Sequence, residues 1–197
     1  MRKITKEYEN PFDNIIYIFV KLVEPIAHKL NLTPNMITTF SVICSIIACY
    51  LLYLHYFIFS ILFYIFSYFF DCLDGYYARK HNMVTKFGDM YDHISDILSA
   101  SIYIVILFTI NPFLLLICLP ILFYLFIGSH IHLFYQELYY DKPKESIFFS
   151  LLPNLFDIKS TSKSEIQQIM KYTRYFGVGT LNLGVVGVVL IYAHFYS

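Results

Sequence analysis

Charge is scarce in this sequence. Only 14% of its 197 residues are Asp, Glu, Lys or Arg, against 58% hydrophobic and 20% aromatic. A soluble domain carries roughly 25% charged residues. So apolar a chain cannot hide its surface in one water-soluble core, and an integral membrane protein is expected. The formal net charge is zero, and no basic stripe offers a nucleic acid a footing. No short apolar h-region follows the polar opening MRKITKEYENPF, so a cleaved signal peptide is not expected. The four cysteines, Cys44, Cys49, Cys72 and Cys118, match no zinc or redox spacing and read as small packing residues. Internal repeats and low-complexity tracts are absent.

Long apolar runs are what the chain does have. A helix needs about 20 apolar residues to cross the hydrocarbon core. Residues 34–54, 57–78, 88–110, 113–135 and 175–196 meet that requirement. Residues 146–156, SIFFSLLPNLF, are short and hold Pro153, so a sixth crossing there is arguable. Residues 12–30 mix apolar positions with Lys21, Glu24 and Lys29, which suits an amphipathic helix lying at the interface. The expected fold is therefore all-α: a polytopic membrane helix bundle of five to six spans plus an N-terminal amphipathic interfacial helix. Residues 1–33 would form the N-terminal segment and 34–197 the transmembrane domain. Lys and Arg gather in residues 2–29, 79–86 and 142–174. Five alternating spans put all three blocks on one face, the cytoplasmic one by the positive-inside rule.

Acids are concentrated where two of these spans meet. Residues 71–96, DCLDGYYARKHNMVTKFGDMYDHISD, hold five of the fourteen carboxylates. Asp71, Asp74 and Ala78 recur on one helical face, and Gly88, Asp92 and Asp96 on another. Ionised groups in a span are costly and generally face a cavity or a partner. Facing carboxylates repel one another unless a cation lies between them, and all-oxygen ligation favours Mg²⁺, Mn²⁺ or Ca²⁺ over zinc. Gly75 and Ala78 leave room beside the acids, and Arg79 is placed to meet a phosphate. Together these residues suit a metal-bridged diphosphate, with a remaining carboxylate free to deprotonate an incoming hydroxyl.

The fixed positions read D-x2-D-G-x2-A-R-x8-G-x3-D-x3-D: Asp71, Asp74, Gly75, Ala78, Arg79, Gly88, Asp92 and Asp96. This resembles the signature of the class I CDP-alcohol phosphatidyltransferase family, with every position filled. Eight residues at fixed spacing are far more specific than a short motif. The resemblance implies a phospholipid-synthesis enzyme. A CDP-linked donor would meet an alcohol or diacylglycerol acceptor, and CMP would leave. It implies Mg²⁺ or Mn²⁺ in a two-metal site, with Asp71, Asp74, Asp92 and Asp96 as ligands and Asp96 as general base. Gly75, Ala78 and Arg79 would line the CDP site. The similar Pro-Asn-x-x-Thr in LTPNMITTFSV adds Asn35 and Thr38. Six spans, an N-terminal interfacial helix and a homodimer are common in the family.

The branch is less defined. GDMYDHISD, residues 88–96, is similar to the pattern of choline and ethanolamine phosphotransferases, which suggests Asp89 as a further ligand and His93 as a catalytic group. The short chain instead resembles enzymes that use CDP-diacylglycerol, such as phosphatidylinositol or phosphatidylglycerophosphate synthases. The first pattern is slightly preferred here. Asp89 equally suits the positive end of its helix. His130, His132 and Arg174 read as interfacial residues, and Gly177, Gly179, Gly184 and Gly187 as sites of close helix packing. A cation or proton transporter is the rival class. Its ionisable residues would be strung along the bilayer depth rather than gathered at one face.

Overall fold

A computed structural model describes residues 4–139 and 162–196, which are helical almost throughout and contain no strand. The α-helices are α1 (Pro11–Lys29), α2 (Pro34–Tyr53), α3 (Phe57–Lys80), α4 (Lys86–Ile110), α5 (Pro112–Tyr139), α6 (Lys163–Thr173) and α7 (Val178–Tyr196). Among the described residues, five helical segments are long and apolar enough to cross a membrane: α2, α3, α4, α5 and the stretch Lys163–Tyr196. The all-helical, multi-span expectation therefore holds. The last segment is not one rod, because a 3-10 turn at Arg174–Phe176 separates α6 from α7. The arguable sixth crossing at 146–156 lies outside the described residues.

Local chemistry sets the helix starts. Thr33 caps α2 by accepting from the Met36 amide, with Pro34 in the first turn, where its missing N–H costs nothing. Thr85 caps α4 by accepting from the Gly88 amide. Ser162 and Glu165 form a reciprocal capping box on α6, which satisfies two otherwise orphaned donors.

The described residues fall into two compact units. The first takes in 15–119 and 185–196. Its centre is built from Ile37, Ala48, Leu52, Leu73 and Tyr77, each almost wholly buried. Hydroxyl groups tie the helices where water is scarce. Ser60 Oγ donates to the Ala48 carbonyl at 2.8 Å and lies 2.8 Å from the Tyr103 hydroxyl. Ser41 donates to the Ser67 carbonyl at 2.8 Å. Buried Tyr192 donates to the Asn111 carbonyl at 2.7 Å, with the Leu107 carbonyl at 3.0 Å. Such bonds are modest singly, but they fix register where apolar side chains meet equally apolar lipid.

In this unit α1 buries Ile16, Tyr17, Val20 and Ala27 and exposes Ile15, Phe19, Leu22 and Ile26 on its other side. Lys21 and Lys29 are exposed, whereas Glu24 is buried. Burial alone would push the Glu24 carboxyl up. Hydrogen bonds from Lys80 and His81 outweigh it and hold the group below the ordinary carboxylate value.

The second unit takes in 4–14 and 120–184 as far as these are described. Ile4, Tyr8, Ile166 and Met170 form its apolar cluster, with Tyr135, Leu138 and Tyr139 packed against it. Beside the cluster, Asn10 Nδ2 donates to the Arg174 carbonyl and to Thr180 Oγ1, both at 2.7 Å. Arg174 Nη1 donates to the Glu7 carbonyl at 2.6 Å, so this arginine anchors the N-terminal segment. His132 is likewise structural, with Nδ1 2.9 Å from Thr173 Oγ1.

The glycines of the last helix differ in what they permit. A Cβ on Gly179 would sit 2.1 Å from Asp13 Oδ1 and 2.7 Å from Asn10 Oδ1, and one on Gly184 2.5 Å from Leu125 Cδ1. A Cβ on Gly187 would meet nothing within 4 Å. Gly179→Ala should therefore destabilise by about 1–3 kcal/mol through overpacking. Gly187→Ala should be neutral or stabilising by up to about 1 kcal/mol, from helix propensity alone. Thermal melts in detergent check both, and a Gly179→Ala protein melting with the wild type would refute the close approach.

Candidate metal centre

The centre is built by the last turns of α3 and the first turns of α4. Asp71 and Asp74 lie one turn apart on α3, and Asp92 follows the second turn of α4. One carboxylate oxygen from each of Asp71, Asp74 and Asp92 lies within 4.8 Å of the other two. The connection is short and shaped by backbone chemistry. His81 closes α3, Asn82 takes a left-handed φ of 56°, and the Met83 amide donates to the Ala78 carbonyl at 2.8 Å. Asn is among the side chains that tolerate this conformation best. Thr85 then caps α4, so the chain reverses in five residues, 81–85.

The other expected residues are placed around this core. Thr38 of α2 is buried and donates to Asp74 Oδ2 at 2.6 Å, so α2 orients one carboxylate from behind. Asn35 lies against α4, its Oδ1 3.0 Å from where a Gly88 Cβ would be. The Arg79 guanidinium folds back over Gly75, with Nη1 3.0 Å from where a Gly75 Cβ would be. A side chain at Gly75 would therefore crowd Arg79, and one at Gly88 would crowd Asn35 and Thr85. Ala78 is half-buried between Asp74 and Arg79 in sequence, and its carbonyl is the one that closes the turn.

Asp96 is exposed one turn beyond Asp92 on the same face of α4, within electrostatic reach of Asp71 and Asp74. It stands outside the close group of three, as does Asp89, which is exposed in the first turn of α4. His93 is exposed too, with Nδ1 3.9 Å from Asp92 Oδ2, too far for a hydrogen bond. Two further contacts escaped the sequence reading. Tyr91 places its hydroxyl 3.2 Å from Thr39 Oγ1, linking α4 to α2 beside the acids. Glu24 holds the C-terminal end of α3 through Lys80 and His81. An acid on an otherwise buried stripe was the available signal for Glu24, while the Thr39–Tyr91 link left none.

Three carboxylates this close oppose one another electrostatically. The all-oxygen donor set is the kind hard divalent cations prefer, and Mg²⁺ or Mn²⁺ fits it by ligand chemistry.

The family model described as CDP-alcohol phosphatidyltransferase matches residues 31–156. Among curated proteins, the CDP-diacylglycerol--glycerol-3-phosphate 3-phosphatidyltransferase of Bacillus subtilis (strain 168) is 46% identical over 44 residues, 21% of this chain and 23% of that protein. The chain thus matches under a quarter of that relative's length. No solved structure matches.

Thr38→Val removes the hydroxyl that orients Asp74 while keeping the side-chain shape. Support of this kind for a ligand is typically worth about 10–100-fold in metal affinity. Mn²⁺ titration followed by electron paramagnetic resonance should show weaker binding in Thr38→Val. Unchanged affinity would mean Asp74 needs no orientation, or is not a ligand.

Proposed function

From the premise that this chain belongs to the CDP-alcohol phosphatidyltransferase family, we propose that it transfers a phosphatidyl group from CDP-diacylglycerol to a small polar alcohol and releases CMP. The observation that carries the reaction class is the convergence of Asp71, Asp74 and Asp92 at the facing ends of two apolar helices. A lipid-linked donor is supported by the printed activity of the Bacillus relative. It also suits the exposed apolar residues Met90, Ile94, Ile97 and Leu98, which surround the acids along α4.

Asp71, Asp74 and Asp92 would hold the divalent metal. When bound, the metal supplies positive charge to the diphosphate and to the departing CMP. Gly75 makes room for the Arg79 guanidinium to fold back beside the acids, where it is offered to the donor's phosphates, and Ala78 adds little bulk next to it. Asn35 and Thr38 order this wall, Thr38 through Asp74. The acceptor oxygen attacks the phosphorus that carries the lipid alcohol, and a new P–O bond forms. The bond from that phosphorus to the oxygen bridging to CMP breaks, and CMP leaves with the electron pair. Asp96, exposed beside the three ligands, takes the proton from the acceptor hydroxyl. In this reading α1 lies at the interface within residues 1–33, residues 34–197 form the catalytic membrane domain, and the site opens to the cytoplasmic face.

A second reading, CDP-choline or CDP-ethanolamine with diacylglycerol, rests on Asp89 and His93 within GDMYDHISD. A panel of the three CDP donors with candidate acceptors, run on full-length protein with Mg²⁺ or Mn²⁺, separates the two. CMP release is expected with CDP-diacylglycerol and glycerol 3-phosphate or another polar alcohol. Release only from the amino-alcohol donors would select the second reading. Release from none, with metal present, would remove the transferase assignment. Asp96→Asn should lower kcat by about a hundredfold or more, the scale of a lost general base, with CDP binding kept. Wild-type turnover in that variant would exclude Asp96 as the base.

A further inference from the structure

Glu24 lies on the face of α1 that buries Val20 and Ala27, and it is only 2% exposed. A carboxylate at that depth needs both a counter-charge and hydrogen bonds. Both come from the end of α3. Lys80 Nζ donates to Oε2, and His81 Nε2 stands 2.7 Å from Oε1. The His81 ring is held on two sides. It stacks on His28 of α1 at 4.4 Å between centroids and 11° between planes, and it lies 4.4 Å from the ring of Tyr77. Tyr77 is itself buried, with its hydroxyl 3.4 Å from His28 Nδ1.

This arrangement grips one particular place. Lys80 is the last residue of α3 and His81 its C-cap, where the five-residue reversal begins. Arg79 immediately precedes them, and the reversal leads into the acids of α4. An apolar contact would attach α1 to the bundle at least as well, because a buried ion pair seldom out-stabilises a hydrophobic one. What the charged arrangement adds is direction: two donors on consecutive residues are fixed to the two oxygens of one carboxylate. Ring stacking then removes the remaining rotation of His81.

We propose that Glu24 is a positioning residue for the donor site. Through Lys80 and His81 it fixes the turn between α3 and α4, and with it the placement of Arg79 relative to the carboxylates of α4. The proposal rests on reading residues 71–96 as a CDP site, and it assigns to α1 a part in that site beyond packing.

The test measures CDP binding in the presence of Mn²⁺ by full-length protein in nanodiscs, alongside melting temperature. Glu24→Gln keeps the shape and removes the charge, and should weaken CDP binding by about tenfold, the lower range seen for orienting partners. Lys80→Glu, at a half-exposed position that tolerates change, should weaken it similarly. The exchanged pair Glu24→Lys with Lys80→Glu should recover part of the loss, because it restores the ion pair but not the acceptor for His81. Val20→Ala, on the same buried face of α1, should lower the melting temperature while leaving CDP affinity within about twofold, since its cost is a cavity. Wild-type affinity in Glu24→Gln would overturn the proposal. So would an equal loss of affinity in Val20→Ala, because packing alone would then explain the effect. If the wild type itself binds no CDP with Mn²⁺, the donor-site reading fails and takes this proposal with it.

Discussion

Repulsion among carboxylates is the constraint around which this chain is arranged. Asp71, Asp74 and Asp92 place oxygens within 4.8 Å of one another, at the ends of helices that are otherwise apolar. Like charges at that distance separate unless the backbone beneath them is stiff or a cation lies among them. The chain supplies the stiffness with two helices joined by five residues. That reversal needs a left-handed residue at Asn82, a capping hydroxyl at Thr85 and a return bond from Met83 to Ala78. The residues between the acids thus decide whether the acids meet at all.

The interior of the first unit follows from the same scarcity of water. Hydrophobic burial cannot tell a neighbouring helix from a lipid tail, so small and hydroxyl-bearing side chains fix the register. Ser60 with Tyr103, Ser41 with Ser67, and Tyr192 with the carbonyls that end α4 are bonds of this kind. Thr38 belongs to the same class but is directed at Asp74, so one interaction both packs α2 and orients a carboxylate. Orientation of the acidic cluster and cohesion of the bundle are therefore inseparable at that residue.

Much of this was legible beforehand. Runs of about 20 predominantly apolar residues allow little else than membrane-spanning helices, and the helices lie where the runs do. The eight-residue pattern pointed to the cluster of Asp71, Asp74 and Asp92, because carboxylates three and four apart share a helical face whatever surrounds them. Asn35 and Thr38 were suggested by a weak motif, and they stand beside Gly88 and Asp74 respectively. Other features were not legible. Gly187 looked like its neighbours but faces open space, whereas Gly179 has no room for a methyl group. Arg174, suited by sequence to an interface, is bonded to the backbone of the N-terminal segment. Each depends on what comes near from a distant part of the chain.

The sequence by itself determined the apolar surroundings, the secondary structure and the place where the acids gather. These depend on composition and on spacings of three to eight residues, and a single helix expresses them without help. Only the tertiary structure decided which acids form the close group and which remain exposed. It also decided that Thr38 donates to Asp74, and that Glu24 turns inward to Lys80 and His81 rather than outward to water. The reason is physical. A carboxylate is as compatible with a solvated helix face as with a buried one, and only a partner brought from another helix makes burial the lower-energy choice.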